Sequence, residues 1–193
     1  MSVSRETEAL QHYAAMLRKW NPAINLIAPS TVADLETRHI ADSQRLVDLA
    51  AGATGKWADL GSGGGLPGLV LAILRPDLPI SLVESDKRKC SFLRSVARET
   101  ELANVTVVNA RIEQAESIKA THLSARALAP LPLLMSYVDR HLDDNGTAWL
   151  MKGRNWQAEV DEAQRQWRFD FIAHPSNTDT DAVILELTGI CHA

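Results

Sequence analysis

The chain has 193 residues, of which 46% are hydrophobic and 23% are charged, and its formal net charge is −4. A hydrophobic fraction of this size supports a packed core and excludes a disordered chain, while the acidic balance excludes a histone-like nucleic-acid binder, so that any nucleic-acid contact must be a local basic patch. The two cysteines, Cys90 and Cys191, are too few for a disulfide scaffold or a cysteine-based zinc site and suit a reducing compartment.

The first fifty residues carry a helical pattern and no strand signal. Leu10, Tyr13 and Leu17 recur at helical spacing, and Asn21-Pro22 is expected to end that helix. Residues 34–49 form a second amphipathic stretch. The sequence therefore predicts an N-terminal helical extension over residues 1–50. It shows neither a signal-peptide pattern nor an apolar run long enough for a membrane span, so a cytoplasmic protein is expected.

Residues 51–193 are expected to form one compact domain, and within it residues 56–152 alternate between short apolar runs and helix-like stretches. The predicted strands are 57–60, 80–83, 105–108, 123–128 and 148–151, and the predicted helices are 69–74, 87–100, 112–119, 131–142 and 156–167. A turn is expected at 143–146, and two closing strands at 169–173 and 182–187. Such alternation indicates an α/β domain with a mainly parallel sheet, helices on both faces and a C-terminal antiparallel hairpin.

The segment from Asp59 to Gly68 is the most informative in the chain. Its glycines follow a predicted strand and precede a predicted helix, which indicates a sharp turn and a closely approaching ligand. Gly63-x-Gly65-x-x-Gly68 fits the dinucleotide fingerprint and would suit NAD. The other register, Asp59-x-Gly61-x-Gly63-x-Gly65, places a carboxylate at the strand end. It suits S-adenosylmethionine, because Asp59 can attract the ammonium group directly or through water.

Two further segments lie at predicted strand ends, where ligands bind in open α/β sheets. Glu84 ends the second strand, and its carboxylate can accept both hydroxyls of a ribose. Since both NAD and S-adenosylmethionine contain a ribose, Glu84 does not choose between them. Backbone groups of residues 109–113, after the third strand, could read an adenine edge.

These residues, together with two upstream motifs, carry a resemblance to a known family. The motifs are Trp20-Asn21-x-x-x-Asn25-Leu26 and Arg38-His39-x-x-Asp42-Ser43. With the glycine segment, Glu84-x-x-Lys87-Arg88, Arg111-x-Glu113, Arg126-Ala127 and Lys152-Gly153, the sequence resembles the bacterial 16S rRNA guanine-N7 methyltransferase family, also called glucose-inhibited division protein B. The match spans roughly residues 13–152.

The resemblance implies a Rossmann-like methyltransferase domain, S-adenosylmethionine as methyl donor, and a guanine of 16S rRNA or the small ribosomal subunit as substrate. The implied cofactor contacts are Gly61, Leu66, Ile112, Glu113 and Arg126, with Glu84 at the ribose. With Asp59, Gly63 and Gly65 from the glycine register, these complete the predicted cofactor site. Neither a metal site nor an obligate protein partner is expected.

Methylation of guanine at N7 requires few catalytic groups from the protein. N7 carries a lone pair and no proton, so its attack on a methyl group needs alignment rather than a general base. We therefore expect no catalytic proton-transfer residue. Neither cysteine is well placed to act as the nucleophile that a cytosine-C5 enzyme needs.

RNA would be held by a local basic patch around the cofactor crevice, since cationic side chains there can pair with phosphates. The candidates are Arg38, His39, Lys87, Arg88, Lys152 and Arg154. Three other functions remain open from sequence: methylation of another RNA or a small molecule, an NAD-dependent oxidoreductase, and a non-catalytic RNA-binding module.

Overall fold

A seven-stranded sheet organises the protein. The structure is a computed structural model that describes residues 4–193; residues 1–3 of the predicted extension lie outside the described residues. The strand order is β3-β2-β1-β4-β5-β7-β6. Neighbours from β3 to β5 run parallel, whereas β7 is antiparallel to both β5 and β6. The strands are β1 (Trp57–Leu60), β2 (Ile80–Glu84), β3 (Val105–Asn109), β4 (Ala120–Arg126), β5 (Leu142–Lys152), β6 (Trp167–Pro175) and β7 (Val183–His192).

Helices cover both faces of the sheet. They are α1 (Arg5–Ile24), α2 (Ala41–Leu49), α3 (Gly68–Leu74), α4 (Lys87–Glu99), α5 (Leu131–His141) and α6 (Trp156–Ala163), with a 3₁₀ turn at Pro29–Thr31 and a π-helix at Leu35–Ile40. Two of them begin at a side-chain cap: Ser4 accepts from the backbone N–H of Thr7, and Asp86 accepts from that of Arg88. Such caps satisfy backbone donors that the first turn leaves free.

The sheet separates two hydrophobic cores. Alternate side chains of β1 point to opposite faces, so Trp57 belongs to one core while Ala58 and Leu60 belong to the other. The first core is shared by α1, α2, α3 and α4, and the second by α5 and α6. The N-terminal helices therefore pack on the same face as α3 and α4.

The strand order creates a crevice at the centre of the sheet. β1 lies between β2 and β4, so the chain connections depart in opposite directions on its two sides. Ligands of doubly wound sheets bind at such a switch point, outside the carboxyl ends of the strands. The glycine segment follows β1 at this place.

The predicted extension is helical, but its details differ from expectation. α1 does not end at Asn21-Pro22: it continues through Pro22 to Ile24, and Asn25 closes it in a left-handed conformation with φ of 51°. Pro22 lies in the last turn, where only one hydrogen bond is lost. The second stretch begins as a π-helix rather than as part of one α-helix.

Elsewhere the expected alternation is confirmed with local corrections. The predicted helix at 112–119 is wrong, because the chain there makes only turns and irregular structure before β4. The expected turn at 143–146 lies inside β5, which begins at Leu142. The C-terminal antiparallel hairpin is confirmed by the pairing of β6 with β7. Among residues 4–193, no helix is long and apolar enough to cross a membrane.

Candidate functional site

A cavity of about 460 Å³ opens above the carboxyl ends of β1, β2 and β4; we call it the glycine-loop cavity. Most residues of the predicted cofactor site meet there. Those that line it are Gly61, Gly63, Leu66, Glu84, Ile112, Glu113 and Arg126. They come from four separated segments of the sequence, which the parallel sheet brings to one edge.

Glu84 lies at the base of this cavity with both carboxylate oxygens already oriented. Oε2 accepts from the backbone N–H of Gly63 at 2.9 Å, and Oε1 accepts from that of Asp86 at 2.8 Å. The side chain is largely buried but still borders the cavity. Because each oxygen retains a free lone pair, Glu84 can accept two further hydrogen bonds from a bound ligand.

The glycines of the loop have different roles. Gly61 and Gly63 border the cavity at positive φ values of 65° and 51°, which glycine adopts without strain. Gly65 also has a positive φ, but a Cβ there would meet the side chain of Leu69, so Gly65 serves the turn into α3 and not the cavity wall. A Cβ at Gly68 would lie 2.7 Å from Oδ2 of Asp59. Gly63 is the one member of the dinucleotide register that lines the cavity, whereas Gly61 and Gly63 of the other register line it.

Asp59, predicted to attract the ammonium group directly or through water, lies beneath the loop and does not line the cavity. It is 1% exposed, and Oδ1 accepts from the Ser124 hydroxyl at 2.6 Å. Burial raises the pKa of Asp59 to about 6, although Ser124 and the charge of Arg126 act in the opposite direction. Any effect of Asp59 on a ligand would therefore pass through the loop.

The N-terminal extension forms one wall of the site. The Tyr13 hydroxyl donates to the carbonyl of Gly64 at 2.7 Å, and the side-chain oxygen of Asn21 accepts from the backbone N–H groups of Leu26 and Ile27. Leu26, fixed in this way, borders the glycine-loop cavity. The Trp-Asn-x-x-x-Asn-Leu motif thus sets a loop against the glycines, a role that the sequence analysis did not assign.

Arg126 and His39 are joined at the centre of the site. An Nη1–H of Arg126 donates to Nδ1 of His39 at 2.8 Å, and Nε2 of His39 lies 2.8 Å from the Thr31 hydroxyl. Since a guanidinium only donates, Nδ1 is unprotonated and Nε2–H donates to Thr31. Burial and the charges of Arg126 and Arg38 lower the pKa of His39 to about 4. His39 is therefore a neutral acceptor at neutral pH.

A second cavity of about 450 Å³, here called the neighbouring cavity, lies beside the first. The two cavities share Leu26, Arg126 and Ala127 as lining residues. The far wall of the neighbouring cavity comes from the N-terminal extension and from the turn between β6 and β7. A ligand in one cavity would thus meet a ligand in the other at the wall they share.

The structure distributes the predicted RNA-binding residues around these cavities. Arg38 and His39 line the neighbouring cavity, whereas Lys87 and Arg88 are exposed at the start of α4. Arg154 is exposed after β5 and pairs with Asp181 at 3.0 Å. No ion pair involves Lys87 among residues 4–193, so its charge is available to a phosphate.

Lys152 has a different environment from the one expected. Its side chain is only 8% exposed, pairs with Glu159 and donates to the carbonyl of Ala129 at 3.0 Å. A cation held in this way stabilises the segment between β4 and α5, and Lys152 also lines the neighbouring cavity. Within residues 4–193, no group of three or more His, Cys, Asp or Glu side chains could hold a metal ion.

Sequence comparisons find a matching protein family and similar proteins. A sequence model of the family described as rRNA small subunit methyltransferase G matches residues 6–183. A protein named ribosomal RNA small subunit methyltransferase G from Paracoccus denitrificans (strain Pd 1222) is 64% identical over 193 residues, which is 100% of each chain. A second of that name, from Ruegeria sp. (strain TM1040), is 50% identical and covers 98% of this chain and 94% of its own.

Comparison by structure gives the same fold at much lower identity. The glycopeptide N-methyltransferase MtfA complexed with S-adenosyl-L-methionine superposes with a TM-score of 0.63 at 12% identity, covering 78% of this chain and 93% of that one. Its complex with sinefungin gives 0.65 at 13% identity, over 78% and 86% of the two chains. At such identity the likeness shows the fold alone.

Proposed function

Because this chain belongs to the rRNA small subunit methyltransferase G family, we propose that it transfers the methyl group of S-adenosylmethionine to N7 of a guanine in 16S rRNA. One observation carries the proposal: the glycine-loop cavity and the neighbouring cavity meet at a common wall of Leu26, Arg126 and Ala127. Methyl transfer needs a donor and an acceptor base in van der Waals contact, and two joined cavities provide the space for both.

The glycine-loop cavity fits S-adenosylmethionine. Glu84 offers acceptors to the ribose hydroxyls, and the backbone of Ile112 and Glu113 borders the same space for the adenine. Gly63 leaves room for the methionine portion, since a Cβ there would meet no atom closer than 3.7 Å. When bound there, S-adenosylmethionine supplies a methyl group on a positively charged sulfur.

Two titratable side chains near the shared wall, those of His39 and Asp59, are not available as a base. His39 is committed to Arg126 and Thr31, and Asp59 is enclosed under the loop. Neither is free to remove a proton from a base in the neighbouring cavity. Guanine N7 has an unprotonated lone pair, so alignment by the protein is sufficient for its attack.

The RNA backbone would be held outside the cavities. Lys87, Arg88 and Arg154 are exposed around the crevice, and their charges can replace counterions along the phosphates. Partners such as Asp86 and Asp181 lie on the surface, where ion pairs contribute little and are readily exchanged for phosphate. The base itself must leave its stack to reach the neighbouring cavity.

The experiment is methyl transfer from labelled S-adenosylmethionine into unmodified small subunits and, in parallel, into naked 16S rRNA. We expect label in the RNA, mapped to N7 of one guanine by cleavage at the methylated base. Gly63→Val, which fills the cofactor space, is the inactive control, and Lys56→Glu, at the opposite edge of the sheet, is the active one. Label elsewhere than a guanine N7, or none despite measurable cofactor binding, would contradict the proposal.

A further inference from the structure

The neighbouring cavity contains a carboxylate that the proposed methyl transfer does not use. Asp42 lines this cavity and does not line the glycine-loop cavity. Its Oδ1 accepts from the hydroxyls of Ser176 and Thr178, each at 2.7 Å. Among residues 4–193, Oδ2 has no hydrogen-bond partner. One oxygen thus fixes the side chain, and the other is free for a ligand in the cavity.

We propose that Asp42 selects guanine, with Oδ2 accepting hydrogen bonds from N1–H and the 2-amino group of the target base. This inference rests on the proposed function. Guanine presents two adjacent donors on that edge, and carboxylate oxygens are acceptors only. Adenine presents an unprotonated N1 at the same position, so two acceptors would face each other. Asp42 is therefore a specificity-determining contact and not a general base.

The position of Arg126 supports this orientation of the base. Arg126 lies at the wall that the two cavities share, and the charge of Asp42 acts on it. One N–H of its guanidinium is engaged by His39, which leaves further donors for the O6 atom of guanine. Around the purine, N7 follows O6 on the side away from N1. A base held by Asp42 at N1 and by Arg126 at O6 therefore turns N7 toward the glycine-loop cavity.

The contact between Asp42 and N1–H also favours the chemical step. N7 forms a bond to the methyl carbon while the carbon–sulfur bond breaks, and that electron pair stays on sulfur. No proton is lost, so the positive charge passes from sulfur to the purine ring. A carboxylate at N1–H interacts more strongly with the cationic product than with neutral guanine, and such a difference lowers the barrier. Asp42 should therefore affect kcat as well as base choice.

Asp42→Asn tests the contact with little structural change. The amide oxygen of asparagine can still accept from Ser176 and Thr178, whereas the amino group replaces Oδ2 by a donor that opposes N1–H. We expect single-turnover methylation of small subunits to fall about 10- to 100-fold with guanine at the target. The rate ratio between subunits with guanine and with adenine at that position should fall by a similar factor. S-adenosylmethionine affinity, measured by calorimetry, should stay at the wild-type value.

The matched control is the double variant Ser176→Ala with Thr178→Ala, which removes the ties and keeps the carboxylate. It should retain a clear preference for guanine even if its melting temperature falls. If Asp42 only joins the hairpin to the N-terminal extension, Asp42→Asn would keep both rate and preference, and the inference would be wrong. A wild-type enzyme that places no methyl group on guanine would instead overturn the proposed function.

Discussion

At the scale of single residues, His39 shows how a titratable side chain can be removed from proton chemistry. It accepts from Arg126 through Nδ1 and donates to Thr31 through Nε2. The Thr31 hydroxyl in turn donates a hydrogen bond to the carbonyl of Ala28 at 3.0 Å. Burial disfavours the charged imidazolium, and protonation would also set two cations against each other, so the pKa of His39 falls to about 4.

This arrangement predicts a flat dependence of the methyl-transfer rate on pH. Because N7 loses no proton and His39 stays neutral above its pKa of about 4, the single-turnover rate with saturating cofactor and RNA should change little between about pH 6.5 and 8.5. Rapid-quench measurements on wild type and His39→Gln would check this. A one-proton basic limb shared by both proteins would reveal a general base and rule out the N7 mechanism.

The buried carboxylate of Asp59 predicts a pH-dependent stability of the opposite sign to that of most paired carboxylates. Its pKa of about 6 exceeds the unfolded value of 3.8, so the folded protein holds the proton more tightly. The protonated carboxyl of Asp59 therefore contributes fully to the free energy of unfolding below about pH 4, and this contribution is lost as the pH rises to 6. The difference between the two pKa values corresponds to roughly 3 kcal/mol.

Urea unfolding of wild type and Asp59→Asn across this range would measure the effect. The difference in unfolding free energy between the two proteins should move in favour of the variant as the pH rises from 4 to 6. A difference that is independent of pH would show that Asp59 is ionised normally in the folded protein.

The sequence identifies candidate site residues more readily than it predicts the contacts that their side chains make. Glu84 is predicted at the ribose because strand ends line the crevice, and the structure places its side chain in the wall of the glycine-loop cavity. Asp59 and Lys152 also lie at the ends of strands. However, Asp59 is buried under the loop, and Lys152 forms an ion pair with Glu159. Depth below a loop and pairing with a distant helix depend on tertiary packing, which leaves no local pattern in the sequence.

At the scale of elements, the glycine loop divides into a ligand-facing half and a packing half. Gly61 and Gly63 border the cavity, whereas Gly65 and Gly68 adjoin the side chains of α3, β1 and β2. Sequence predicted the loop correctly, because clustered glycines between strand and helix are a strong local signal. It failed at residues 112–119, where the composition suits a helix but the chain must cross to β4 by irregular structure.

Substitutions in the ligand-facing half and in the packing half of the glycine loop should have different effects on cofactor affinity. At Gly63 a Cβ meets no atom closer than 3.7 Å, but the φ of 51° strains any other residue. Gly63→Val should therefore cost about 1–3 kcal/mol of stability and also lose S-adenosylmethionine affinity by tenfold or more. At Gly68 a Cβ would meet Leu82 and Asp59, so Gly68→Ala should cost about 1–3 kcal/mol of stability through overpacking. Calorimetric titration and thermal unfolding of both variants would separate the effects. Equal loss of affinity in two stably folded variants would remove the distinction.

At the scale of the whole molecule, the site joins parts of the chain that are far apart in sequence. The N-terminal extension supplies Tyr13, Leu26 and Asp42, the central sheet supplies Glu84 and Arg126, and the hairpin turn supplies Ser176 and Thr178. The sequence predicted each of these elements but not that the extension and the hairpin would meet across a cavity. Such a meeting depends on long-range packing against a common sheet.

The distribution of charge over this surface predicts how RNA binding responds to salt. Lys87 lies at the carboxyl edge of the sheet, whereas Lys56 precedes β1 at the amino edge. Lys87→Glu should weaken RNA binding and reduce the salt slope by about one, while Lys56→Glu should change neither. Binding of small subunits or 16S rRNA would be titrated at several salt concentrations. If the two variants bind alike, the RNA lies on another face.

The hydrogen bonds from Asp42 to the hairpin turn span 134 and 136 residues, and translation makes their two ends at different times. A nascent chain can fold its extension and the strands up to β5 while the turn is still inside the ribosomal tunnel. The neighbouring cavity then lacks the part of its wall that Ser176 provides, and Asp42 is not yet fixed by Ser176 and Thr178. The site proposed for the base therefore becomes complete only after residues 176–178 have left the tunnel.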